Sequence, residues 1–112
     1  DQIGKSLIRI TKTLEEGSQS PQNYKDKVMF AINLYTKGQY QEALNNASTL
    51  LVEFPKSATL YNTIGAANKG LGKLDEAIRV YQKALEMNPN YAEAYNNLGT
   101  VLKDPRQARR SY

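Results

Sequence analysis

Three prolines, Pro21, Pro55 and Pro89, stand 34 residues apart, and Gly38 and Gly72 keep the same step. So do Ala43 and Ala77, the small residues Ala31 and Gly65, and the bulky pairs Tyr40/Leu74 and Phe30/Ile64. A fixed step of about 34 residues is the mark of stacked helix–turn–helix units. One such unit cannot bury its own apolar face. Neighbouring units therefore share a core, and the stack presents one continuous curved surface. This constrains the fold to an all-α solenoid of antiparallel helix pairs, a shape that suits gripping another polypeptide better than enclosing a reaction.

At 112 residues the chain is one domain's worth, and its 40% hydrophobic and 23% charged content is ordinary for a globular protein. No apolar run approaches the ~18 residues of a membrane span. The sequence opens at Asp1 without a signal-like stretch, which reads as a fragment of a longer protein, and the compartment stays open with the cytoplasm favoured. The absence of Cys excludes disulfide and thiol chemistry, and the absence of His removes the commonest general base and metal ligand. The net charge of +4 is spread out as 0 over residues 1–23, +1 over 24–57, +1 over 58–91 and +2 over 92–112. No Gly-rich phosphate loop, metal-ligand spacing or nucleophile motif is present, so neither a cofactor nor catalysis is expected.

Residues 2–16 predict a first helix, because Ile3, Leu7, Ile10 and Leu14 line one helical face and Gly17 stops it. With the linker this makes a segment over 1–23, and full units follow at 24–57 and 58–91. In each unit a first helix runs to about Gly38 or Gly72, and a second begins near Gln41 or Asp75. Ala77, Ile78, Tyr81, Ala84 and Leu85 form a broad apolar face on the latter. Gly65 costs ~1 kcal/mol against Ala inside a helix, which implies a close helix contact. Residues 92–103 begin a third first helix, and Pro105 is expected to end the pattern there, leaving two and a half units and a basic tail over the remainder of 92–112.

These residues resemble the tetratricopeptide repeat family, whose pattern is W-x2-L-G-x2-Y…A-x3-F…P. The second unit reads Tyr61, Ile64, Gly65 and Asn68, then Ala77, Tyr81 and Pro89, with Asn68 departing from the usual aromatic. The first unit is weaker: Lys27, Phe30, Ala31 and Leu34, then Ala43, Ala47 and Pro55. The third matches in Tyr95, Leu98 and Gly99. The resemblance implies a right-handed superhelix whose first helices line a concave groove that takes an extended peptide or a partner helix.

Carried onto this chain, the groove-facing positions are Lys25, Val28, Ile32, Tyr35 and Thr36, then Thr59, Asn62, Ala66 and Lys69, then Glu93, Asn96, Thr100 and Lys103. The peptide-binding set is drawn from these as Val28, Ile32, Tyr35, Asn62, Ala66, Lys69, Asn96, Thr100 and Lys103. Asn62 and Asn96 stack one unit apart as backbone-binding amides, with an apolar end at Val28, Ile32 and Tyr35 and a basic end at Lys69 and Lys103. A peptide with an apolar anchor followed by acids is expected. The carboxylate clamp of chaperone-binding members is rejected, because apolar Val28 and Ile32 stand at its first-unit positions. The asparagine ladder of the glycosyltransferase repeats is present at Asn97 but broken at Thr63.

The resemblance therefore implies a non-catalytic protein-interaction module. A recruiting arm of a larger glycosyltransferase-like or sulfotransferase-like enzyme, and a self-assembly module, are the alternatives. Lys103, Arg106, Arg109 and Arg110 read as a solvated terminus rather than a nucleic-acid patch, and no membrane partner is expected. The uncovered third helix, with Tyr95, Val101 and Leu102, implies a homodimer, or else a tail that folds back over residues 95–102.

Overall fold

The structure is a computed structural model and describes residues 21–106. The predicted helix over 2–16, its stripe of Ile3, Leu7, Ile10 and Leu14, and Arg109 and Arg110 lie outside the described residues. Within them the chain forms α1 (Pro21–Thr36), α2 (Tyr40–Glu53), α3 (Ala58–Gly70), α4 (Leu74–Met87) and α5 (Ala92–Leu102). The helices alternate in antiparallel pairs, and no strand occurs among the described residues.

The repeated glycines end the first helices. Gly38 and Gly72 sit at φ 79° and 81°, in the left-handed region that a side chain disfavours. Around Gly38, the Gln39 amide donates to Leu34 O at 3.0 Å and the Gly38 amide to Tyr35 O at 2.9 Å. The second turn repeats the pair, with Lys73 to Asn68 O at 2.8 Å and Gly72 to Lys69 O at 3.0 Å. Each is a Schellman closure, which satisfies the last carbonyls and reverses the chain within three residues. The repeated prolines lie at the opposite ends. Pro21 opens α1, and Pro55 and Pro89 each follow the C-cap of a second helix, where a missing amide costs no helical hydrogen bond. Ser57 then caps α3 by accepting from the Leu60 amide at 3.1 Å.

Two clusters make the core. Val28, Ala31, Ala47, Leu60 and Ile64 join α1, α2 and α3, with Tyr24 set edge-on to Phe54 at 4.9 Å. Leu74, Ala77, Tyr81 and Val101 join α4 to α5, with Leu98 and Ile78 at their margin. Lys27 ties α1 to α2 through Glu53 at 2.9 Å. Gly65 is the tightest point: a Cβ there would stand 2.6 Å from the buried Tyr81 ring. Gly70 does the same for the Tyr40 ring, at 2.7 Å.

Helix α5 ends at Leu102, ahead of Pro105, and Pro105 and Arg106 are again helical after a break at Lys103 and Asp104. Asp104 stands ahead of them as a cap, its Oδ1 accepting from the Arg106 amide at 2.8 Å while the carboxylate also holds the Arg106 guanidinium at 2.9 Å. A proline in first position lacks only an amide that would have had no helical partner. These contacts hold the Asp104 carboxyl at about 2, below its ordinary 3.8.

Gly65→Leu is expected to lower stability by at least ~1–3 kcal/mol through overpacking against Tyr81, read as a fall in the thermal midpoint. The Asp104 carboxyl, followed by NMR across pH, should titrate near about 2. A carboxyl whose folded pKa is depressed adds stability above its unfolded value and loses it as pH falls toward the folded one. Asp104→Asn should flatten that part of the acid limb.

Candidate functional site

The first helices α1, α3 and α5 lie side by side, and α3 touches both others. A cleft of about 250 Å³ opens along them, lined by Ile32, Tyr35 and Thr36 of α1, Thr59, Asn62, Thr63 and Ala66 of α3, and Tyr91, Glu93 and Asn97 at the start of α5. It forms because α3 carries small residues, Thr59, Thr63 and Ala66, between larger walls on either side. Tyr35 is braced from outside by the Tyr40 ring at 5.6 Å.

Polar groups on the cleft floor are fixed by one another. Asn97 Nδ2 donates to Asn62 Oδ1 at 3.0 Å, and Thr63 Oγ1 donates to Thr59 O at 2.9 Å. The Tyr91 phenol is raised above its ordinary pKa by burial, opposed by side-chain hydrogen bonds to Thr59 and Asn62, while Glu93 nearby adds to the rise. Burial raises the Tyr81 phenol too, with Tyr35 and Glu93 adding to it. Both phenols are therefore neutral donors or acceptors at ordinary pH. Glu93 is the one charged side chain among the lining residues.

Of the residues expected at the groove, Ile32, Tyr35, Thr36, Thr59, Asn62, Ala66 and Glu93 line the cleft together. Others do not. Val28 is only 4% exposed and belongs to the core, reaching the surface at a shallow hollow beside Tyr24 and Met29. Lys69 is half-buried at the end of α3, and Asn96, Thr100 and Lys103 are exposed; none of the four lines the cleft. The expected Asn62–Asn96 stack is replaced by Asn62–Asn97, a step of 35 residues rather than 34. Asn62 is also 5% exposed rather than standing in open groove. Lys69 and Lys103, the expected basic end, do not line the cleft, and Arg106 nearby is engaged by Asp104.

Thr63, Tyr91 and Asn97 were not expected there. Tyr91 had a readable signal, since it follows Ser57 by 34 residues and so puts an aromatic where the previous unit has a helix cap.

A tetratricopeptide repeat family model matches residues 70–104, from the end of α3 through α5. The chain belongs to the tetratricopeptide repeat family. Among its relatives, heat shock protein STI1 of Saccharomyces cerevisiae is 38% identical over 73 residues, 65% of this chain and 12% of that protein. The photosystem I assembly protein Ycf3 of Chaetosphaeridium globosum is 30% identical over 99 residues, 85% of this chain and 56% of the relative. The chain thus spans about an eighth of the first and just over half of the second. Among solved structures, the TPR2AB domain of yeast Sti1 in a pHSP90 complex superposes with a TM-score of 0.67 at 24% identity, over 89% of this chain and 40% of that one. MamA from Desulfovibrio magneticus RS-1 gives 0.67 at 21% identity, over 98% and 63%. At these identities the two structures speak to the shared solenoid fold. No described helix is long and apolar enough to cross a membrane, and no group of metal-ligating side chains occurs among the described residues.

Asn62→Ala is expected to cost about 1 kcal/mol in urea unfolding, since it strands the Asn97 amide beside a buried floor. A change within ~0.5 kcal/mol, the range of an open surface site, would place Asn62 outside the network.

Proposed function

We propose that this chain is a non-catalytic protein-interaction module that holds an extended peptide in the cleft between α1, α3 and α5. The observation that carries the reading is the convergence of three successive first helices on one cleft with a pre-positioned polar floor. Asn62 and Asn97 hold each other in place, so a ligand meets amide and hydroxyl groups that need no ordering on binding. Extended peptides expose a backbone donor or acceptor at each residue, and carboxamides and hydroxyls can satisfy both.

The ligand's charge follows from the lining. Without a cation on the cleft and with Glu93 at its edge, the site disfavours the acidic peptide expected from Lys69 and Lys103. It favours a neutral or basic segment, with an aliphatic side chain against Ile32, Tyr35 and Ala66. The partner named for the yeast Sti1 structure is not carried over. The positions that would supply a carboxylate clamp hold Val28, in the core, and Ile32, an apolar wall.

A peptide array probed with the full chain should enrich neutral or basic residues, and Glu93→Lys should move the preference toward acids by a few-fold that fades with salt. Tyr35→Ala should weaken the selected peptide about tenfold, from the loss of ~1.5 kcal/mol of apolar contact. Enrichment of acidic peptides by the parent chain would overturn the assignment of ligand charge. Tight peptides unaffected by Tyr35→Ala would overturn the assignment of the cleft.

A further inference from the structure

Several hydrogens on the walls of the cleft are already in use, and what they leave behind is selective. The Thr63 hydroxyl donates to Thr59 O at 2.9 Å, and the Thr36 hydroxyl donates to Asn33 O at 2.9 Å. A hydroxyl carries one hydrogen and two lone pairs, so each of these threonines is left as an acceptor only. Asn97 spends an amide hydrogen on Asn62 Oδ1 at 3.0 Å, which leaves its own Oδ1 as an acceptor. Asn62 and Thr59 in turn hydrogen-bond to the Tyr91 phenol.

Glu93 adds a carboxylate to this set and makes no ion pair among the described residues. The acceptors come from all three helices, with Thr36 on α1, Thr63 on α3, and Glu93 and Asn97 on α5. Two aromatic rings join them, Tyr35 from α1 and Tyr91 from the N-cap of α5. Ile32 and Ala66 complete the lining with apolar surface.

Size and chemistry then narrow the occupant. A cleft of about 250 Å³ is smaller than the ~300–1,000 Å³ that holds a whole small molecule, so it takes one side chain. That side chain has to bring donors, since one that brings acceptors meets lone pairs. A hydroxyl or a carboxamide answers only part of the set. An ammonium carries three donors about one point, whereas a guanidinium carries five in a plane and stacks on tyrosine rings. Acceptors spread over three helices suit the wider group.

We propose that the cleft is an anchor pocket for a single arginine side chain of the bound peptide, its guanidinium set between the Tyr35 and Tyr91 rings with the Glu93 carboxylate and the Thr63 hydroxyl as acceptors. This rests on the reading of the cleft as a peptide groove and adds which residue of the peptide enters it. The methylene stem covers Ile32 and Ala66, so apolar contact and positive charge come from one residue. Glu93 is exposed, and its share of the binding fades with salt, while the ring and threonine contacts persist.

Short fluorescein-labelled peptides, neutral except at one fixed position and made as arginine, lysine and citrulline triplets, test this by anisotropy against the full chain. Citrulline keeps the planar shape of arginine but removes the charge and puts an acceptor in place of a donor. Arginine peptides should bind about tenfold tighter than their citrulline twins, with lysine between them. Glu93→Gln, at an exposed position, should weaken the arginine peptide by a few-fold and leave the citrulline peptide unchanged. Thr63→Val, which keeps the shape and drops the lone pairs, should narrow the same gap. Equal affinity of the arginine and citrulline twins, with binding still lost in Tyr35→Ala, would overturn the anchor and leave the peptide groove standing. Lysine binding tighter than arginine would overturn the assignment to a guanidinium. Binding that Tyr35→Ala does not touch, or no binding by any triplet, would overturn the groove reading and the anchor with it.

Discussion

The contact between Gly65 and the ring of Tyr81 governs the rest of the structure. A Cβ at Gly65 would lie 2.6 Å from the ring, so the absent side chain sets how closely α3 and α4 approach. Tyr81 is 1% exposed and shares its cluster with Leu74, Ala77 and Val101, so the same ring also positions α5. The cleft is the opposite side of that arrangement, since Thr59, Asn62, Thr63 and Ala66 are on α3 with Gly65. A few tenths of an ångström at the Gly65 contact would pass straight to the spacing of Asn62 from Asn97. Close-packed interiors transmit such shifts rather than absorb them.

In the first unit the same junction is solved differently. Ala31 stands where Gly65 does, and Ala47 stands where Tyr81 does; both are fully buried. A small residue facing another small one preserves the volume, while a glycine facing a tyrosine moves it to one side. The units are thus equivalent in path but not in side-chain assignment, and the Asn97–Asn62 bond of the floor lies where α3 meets α5. The cleft itself is walled by all three units, with Ile32, Tyr35 and Thr36 from the first.

Much of this was legible in the sequence, and the physical reason is that turns are stricter than surfaces. Gly38 and Gly72 recur because their φ angles of 79° and 81° exclude most side chains, and position 65 is a glycine because a ring occupies its Cβ position. Ile32, Tyr35, Asn62 and Ala66 could be placed because they lie on helices whose ends those glycines fix. Asn97 could not, because one residue of rotation in α5 exchanges it with Asn96, and a period measured on the backbone does not resolve a turn of 100°. Burial of Val28 was equally hidden, since an aliphatic residue fits a groove wall and a core alike.

Pro105 shows how one residue type carries opposite meanings. Inside a helix it removes a hydrogen bond and clashes with the preceding turn; at the first position it removes nothing and fixes φ favourably. The deciding residue is its neighbour, Asp104, a side chain able to cap the amides that follow. Asp–Pro after an amphipathic helix is therefore a boundary between two helices at least as readily as an end. Repeats that bury their cores pairwise have no need of a constant period. What must be conserved from unit to unit is the distance from a helix start to its close-contact residues, because that distance, and not the length of the turn before it, sets which side chains meet.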